Sequence, residues 1–160
     1  MKSCLASMLV ALASSAAAQS VVNEATISTD AALTIANAAL AQCRQDGQKV
    51  TISVVDHAAR EKVRVRDDGA SPHSELHAFR KAYTALTYKM PSGDYGKRFT
   101  ELRQMGPVLL PNITTAAGGV PIRSGDRVLG AVGVSGTPGN AGGGEHDAKC
   151  AEAGIQKVKL

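Results

Sequence analysis

The sequence has no tryptophan and only two phenylalanines and three tyrosines among its 160 residues. A core must therefore be made of Ala, Val, Ile and Leu, and little is left for stacking on nucleobases. Neither sign of charge dominates: the formal net charge is +4 and is dispersed along the chain. That excludes the dense basic surface of a nucleic-acid binder and leaves a mild preference for anionic ligands. No apolar run reaches the roughly twenty residues that a membrane-spanning helix needs. Cysteine is scarce, at three, and no Cys-x-x-Cys pair occurs, so the cysteines do not read as a metal site. No Ser-His-Asp or Cys-His arrangement is visible. Glu75 comes two residues after His73, on roughly the opposite side of a helix, where a zincin needs its general base directly after the histidine. No Pro-Cys-x-x-Cys follows His73-Ser74-Glu75, which excludes a nucleobase deaminase.

What is present at the amino end is Lys2, an apolar run from Leu5 to Ala13, and the small residues Ala16-Ala17-Ala18. This pattern predicts a secretory signal peptide over residues 1–18 and a single mature domain over 19–160, periplasmic or secreted, with no membrane insertion after the signal is removed. Cys4 precedes the apolar run, where a lipoprotein cysteine would not be. Cys43 and Cys150 then remain, an even count in an oxidising compartment. They read either as a disulfide or as two separate buried thiols, and the bridge is the expectation. It would close a loop of about a hundred residues, worth on the order of 4–5 kcal/mol in the chain-entropy model.

Along the mature chain, Ser28 to Asp46 has a helical period, with Ser28 as N-cap, Leu33, Ala36, Leu40 and Cys43 on one stripe, and Gly47 as the stop. Val50 to Asp56 is β-branched and apolar, a buried strand. The next strand places Arg60, Lys62, Arg64 and Arg66 at a period of two, so all four cations are expected on one face. That face is either an edge protected by charge or a wall for carboxylates. Ser71-Pro72 opens a second helix to Lys89, with Ala78, Ala82, Ala85 and Leu86 turned inward. A short helix from Ser92 to Arg103 follows. Gly106 to Ala117 is a candidate further strand, and the last helix runs from Glu145 to Lys157 after the glycine-rich loop Thr137 to Gly144.

Two apolar runs, Gly118 to Ile122 and Val128 to Gly136, flank Ser124-Gly125-Asp126-Arg127 and predict a β-hairpin. Glycines at 118, 119, 130, 133 and 136 are poor strand formers. Their repetition points to a close approach, either by the backbone of a packed helix or by a flat ligand.

At Arg66-Asp67-Asp68-Gly69-Ala70, Lys81-Ala82-Tyr83-Thr84-Ala85, Gly118-Gly119-Val120-Pro121-Ile122 and Val128 to Gly136, the chain resembles the GlcG/HbpS-like family, also described as the haem-degrading domain family. The likeness runs from the first helix to Asp147 and Cys150 to Ile155. It implies a profilin-like α/β (α+β) sandwich, a mainly antiparallel sheet of about five strands with helices packed on it, assembled into homo-oligomers. It also implies tetrapyrrole binding: haem, with a corrinoid or no cofactor as alternatives. Two departures stand out. The turn after Asp56 lacks the family's usual glycine, and the family's usually apolar second strand carries the basic row, with Asp67 where a methionine is frequent.

His73 and His77 lie four residues apart at the start of one helix, on the same face. A helix amino terminus disfavours the imidazolium and welcomes anionic groups such as propionates, so His73 is the first candidate for the haem iron and His77 the second, against a reading of both as surface residues. Lys81 is placed to meet a carboxylate. Tyr83 and Thr84 offer oxygens to a ligand or satisfy backbone groups. Arg66 belongs to the basic wall, and Gly118 and Gly119 to a floor for a planar guest. The reading is an exported haem-binding protein for sequestration, transfer or sensing. An enzyme of small-molecule or haem degradation, and a ligand-free oligomeric partner, are the alternatives.

Overall fold

Ser28 accepts the Ala31 amide through its hydroxyl, which satisfies one of the free donors at a helix start, and helix α1 (Thr29–Gln45) follows. The computed structural model describes residues 21–102 and 109–160. After α1 come β1 (Thr51–Asp56), β2 (Glu61–Arg66), α2 (Ser74–Tyr88), α3 (Ser92–Leu102), β3 (Gly119–Ser124), β4 (Arg127–Ser135) and α4 (Gly143–Ile155). The expected signal segment, residues 1–18, lies outside the described residues.

The strands form one antiparallel sheet in the order β2-β1-β4-β3. The pleat sends alternate residues to opposite faces. Ile52 and Val54 of β1, Val63 of β2, Val120 and Ile122 of β3, and Val132 and Val134 of β4 join Ala32, Ile35, Ala36, Ala39 and Leu40 of α1 in one buried cluster. α4 packs beside α1 on this face. Each buried Val, Ile or Leu of this cluster contributes about 1.5–3 kcal/mol by leaving water. Cys43 of α1 and Cys150 of α4 are bridged, with Cα atoms 5.6 Å apart and a sequence separation of 107. The other face is covered by α2 over β4, β1 and β3.

The fold class matches the expectation, with four strands among the described residues where about five were expected. Residues 103–108 of the candidate fifth strand lie outside the described residues. From 109 to 117 the chain forms turns and irregular backbone. Asn112 sits in the left-handed region, at φ 67°, which ends strand geometry. Side chains replace ladder partners there: Thr84 Oγ1 accepts the Thr114 amide at 2.9 Å, and Ser92 Oγ donates to Ala116 O at 2.7 Å.

Three local expectations are corrected. The α1 stripe does not include Leu33, which is exposed; the inward positions begin at Ala32 and Ile35. α2 starts at Ser74, because the Ser74 hydroxyl turns back onto Ser71 O and meets Thr51 Oγ1, so Ser71 is part of a preceding turn and caps nothing. The row of four cations on β2 is broken by a bulge. Val54 pairs with Val63 but Val55 pairs with Glu61, so one extra residue shifts the alternation. Lys62 reaches Thr29 Oγ1 of α1 on the far face. Glu61 takes its place among the cations, accepting from Ser53 Oγ at 2.6 Å and Arg64 Nε at 2.9 Å.

Candidate functional site

α2 lies unusually close to the sheet, and glycine makes this possible. A Cβ on Gly133 would stand 2.0 Å from Ala78 O, and one on Gly119 2.0 Å from Lys81 O. Ala78, Ala82 and Ala85 on the facing stripe of α2 are fully buried. Of the two readings of the repeated glycines, the packed helix holds at Gly118, Gly119 and Gly133, whereas Gly130 is approached by Val55 O of β1 and Gly136 by Lys49 O. Gly118 and Gly119 are covered by Lys81 and the α2 backbone, so the expected glycine floor has no open surface on which a planar guest could lie.

Lys81 reaches from α2 past this contact into the space before α4. Its ammonium donates to Asp147 Oδ2 at 2.7 Å and to Val134 O at 3.0 Å. Both side chains are almost wholly buried. The second carboxylate oxygen of Asp147 accepts the Thr137 amide at 3.1 Å, so the pair is held by more than its own attraction, as buried charges require. Burial pushes the Lys81 ammonium below its ordinary value, opposed by Asp147. The carboxylate that Lys81 was expected to meet is one of the protein's own.

Next to this pair, one turn nearer the start of α2, His77 is half-buried. Its Nδ1 is 3.3 Å from Ser135 Oγ and its Nε2 is 3.4 Å from Thr114 Oγ1. Burial, with the positive charge of Lys81 next, lowers its pKa from 6.5 to about 4. The imidazole is thus neutral at physiological pH, the state in which it ligates metals. His73, at the N-cap of α2, is exposed, with its ring 6.4 Å from that of His77. The sequence ranked His73 first and allowed that His77 was a surface residue; the tertiary fold makes His77 the more enclosed of the two.

His73, His77, Lys81 and Asp147 line one cleft of about 530 Å³, closed by Thr115–Ala117, Ser135–Pro138 and the first turn of α4 at Gly144 and Glu145. This volume lies in the usual range for small-molecule sites. The other candidate residues lie elsewhere. Tyr83 faces a separate hollow of about 730 Å³ with His57, Lys89, Asp126 and Arg127. Thr84 is buried, donating to Arg80 O while accepting from Thr114. Arg66 pairs with Glu75 at 3.2 Å and donates to Ala70 O. Asp67, the departure from the family pattern, is buried and receives Arg44 through two nitrogens, and that guanidinium holds its carboxyl below the ordinary range.

Asp147, Ser135, Thr114 and Thr137 were not singled out in the sequence. One signal was available for Asp147: a lysine on the alanine stripe of a buried helix needs a counter-charge, and an acid in the last helix can supply it.

The family model for haem-degrading HbpS-like proteins matches residues 27–156. Among solved structures, that of HbpS is 30% identical, with 91% of this chain and 99% of that chain covered and a TM-score of 0.80. A double mutant of Streptomyces reticuli HbpS is 31% identical, covering 94% and 99%, also at a TM-score of 0.80. The PduOC:heme complex shares the fold at a TM-score of 0.72, with 23% identity over 84% of this chain and 96% of that one. A search of curated proteins returns no match. With the match spanning almost all of the described residues and the same strand and helix arrangement in its relatives, the chain belongs to the HbpS-like family of haem-degrading proteins.

Proposed function

We propose that this protein binds haem or a closely related anionic tetrapyrrole at the cleft before α4, as an exported, homo-oligomeric protein that sequesters the group or passes it on. The observation that carries the reading is the pair His73 and His77, one turn apart on α2 at a cleft of about 530 Å³, with His77 neutral down to about pH 4. Either imidazole suits haem iron. The hydroxyls of Ser135 and Thr114 lie only at the long end of hydrogen-bond range from His77, so they hold the ring without committing its lone pair strongly. The first turn of α4 at the cleft rim favours a carboxylate. The group, when bound, supplies iron coordination and redox chemistry; the protein's residues orient it. The family description and the PduOC:heme neighbour support this choice of ligand. Export rests on the amino-terminal pattern of Lys2, the apolar run and Ala16-Ala17-Ala18.

Titration of the mature protein with hemin tests the reading. A saturable Soret band is expected, weakened about tenfold or more in affinity when His77 or His73 is replaced by Ala. An equal band in both single variants and the double variant sinks the cleft assignment. A porphyrin spectrum that decays with reductant and oxygen faster than with denatured protein would move the reading from binding to degradation.

A further inference from the structure

On the opposite face of the sheet, α1 and α4 bring a second set of chemistry-bearing side chains together. α1 carries Cys43 near its end and is capped by Asp46; α4 carries His146 and, one turn later, Cys150. Spacings of three and four residues put each pair on one side of its helix. A ring nitrogen of His146 and both cysteine sulfurs lie within 4.8 Å of one another. His146 Nε2 is also 3.1 Å from Asp46 Oδ2. That approach is not aligned as a hydrogen bond, so Nε2, shielded from solvent, has no hydrogen-bond partner among the described residues. A buried ring nitrogen left in that state calls for a reason.

Two thiolates, an imidazole and a carboxylate are the donor types of a tetrahedral zinc site. Zn–S bonds of about 2.3 Å and Zn–N bonds of about 2.0 Å set such donors roughly 3.5–4 Å apart. Cys43, Cys150 and His146 already lie within 4.8 Å of one another, and Asp46, outside that trio but with Oδ2 3.1 Å from His146 Nε2, reaches the same point by a side-chain rotation once the sulfurs are no longer bonded to each other. We propose that Cys43, Cys150 and His146, with Asp46 as the fourth donor, form a zinc site that exists only while the disulfide is open, and that closing the bridge expels the metal. The lack of a Cys-x-x-Cys pair, which argued against a metal site in the sequence, loses its force because the donors come from two helices.

A dithiol reductant opens the site. Its sulfurs join as a disulfide, the Cys43–Cys150 bond breaks, and two electrons with two protons pass to the cysteines. Zinc then binds both thiolates and the two protons go to water. In reverse, a disulfide oxidant takes two electrons from the thiolates, the bridge re-forms, and Zn²⁺ leaves with its charge unchanged. The open state is also that of the newly made chain before its bridge closes.

Cobalt(II) is the probe. The protein is reduced without oxygen, freed of reductant and titrated. A sulfur-to-cobalt charge-transfer band with the intense visible bands of tetrahedral cobalt is expected, bleached by one equivalent of zinc and absent from the oxidised protein. His146→Ala and Asp46→Asn, each checked as folded in its oxidised form, lower the cobalt affinity by about tenfold or more. Unchanged affinity in either variant, uptake without the charge-transfer band, or equal uptake by the oxidised protein overturns the proposal. So does a reduced chain that unfolds and is not restored by zinc, because a built site returns its binding energy to folding. None of these readouts depends on hemin.

Discussion

The two faces of the sheet are built from different residues. Under α1 and α4 lie Ile35, Ile52, Val54, Ile122, Val132 and Val134, all at or near zero exposure, and the bridge that ties the two helices. Under α2 the aliphatic cluster is small, with Val55, Ala82, Ala85 and Ala131 at its centre. The rest of that face holds buried Thr51, Ser53, Ser74, Thr84 and Ser135 and the Lys81–Asp147 pair. Buried aliphatic area stabilises in proportion to its size, whereas satisfied buried polar groups contribute little net free energy and a broken pair costs much. One face therefore supplies most of the stability, and this lets the other hold polar chemistry in a fixed place.

The comparison can be broken most severely at the bridge. Reducing it in the presence of a chelator removes a constraint on a span of 107 positions and should lower unfolding free energy by about 4 kcal/mol, read from denaturant midpoints. A loss no larger than experimental error would mean that α1 and α4 hold by packing alone. On the polar face, Lys81→Ala leaves Asp147 charged and buried and should cost about 3 kcal/mol. Replacing both partners, by Lys81→Met with Asp147→Leu, should restore most of that. If the double variant is no more stable than the single one, the pair is not the source of the loss.

A smaller effect is expected from pH. His77 has a folded pKa of about 4 against an ordinary 6.5. Between those values the unfolded chain binds a proton that the folded one refuses, so stability falls as pH drops through this window. Below about pH 4 both states carry the proton, and this group adds no further loss. Urea midpoints across the window should show that slope, and His77→Gln should flatten it; an equal slope in the variant would assign it elsewhere. The smallest change expected belongs to neither face. Ala59, in the turn where the family has a glycine, sits at φ 62°, so Ala59→Gly should raise stability by about 1 kcal/mol. A decrease would mean that the turn carries no strain at Ala59.

Legibility in the sequence followed the same division. The Val50 to Asp56 strand, the hairpin around Gly125 and the alanine stripe of α2 were readable because each is a local pattern of side chains at a period of two or of three to four. The bulge at Lys62 was not, since it is set by pairing with β1, and one inserted residue was enough to turn Lys62 to the far face and bring Glu61 among the arginines. His73 and His77 could be found from their spacing alone. Their ranking could not, because it depends on how far Thr114 and Ser135, remote in the chain, close around the second ring.

By itself the sequence determined the helix that carries the histidines and the two cysteines available for a bridge, which follow from short-range periodicity and composition, while the fold class came from its resemblance to the HbpS-like family. Only the tertiary structure decided that Gly118, Gly119 and Gly133 are covered by α2, that Lys81 is answered by Asp147, and that His146 stands beside the bridged sulfurs. The reason is distance along the chain: those contacts join segments whose neighbours in sequence say nothing about one another, and they exist only where the sheet order and the bridge bring the helices together.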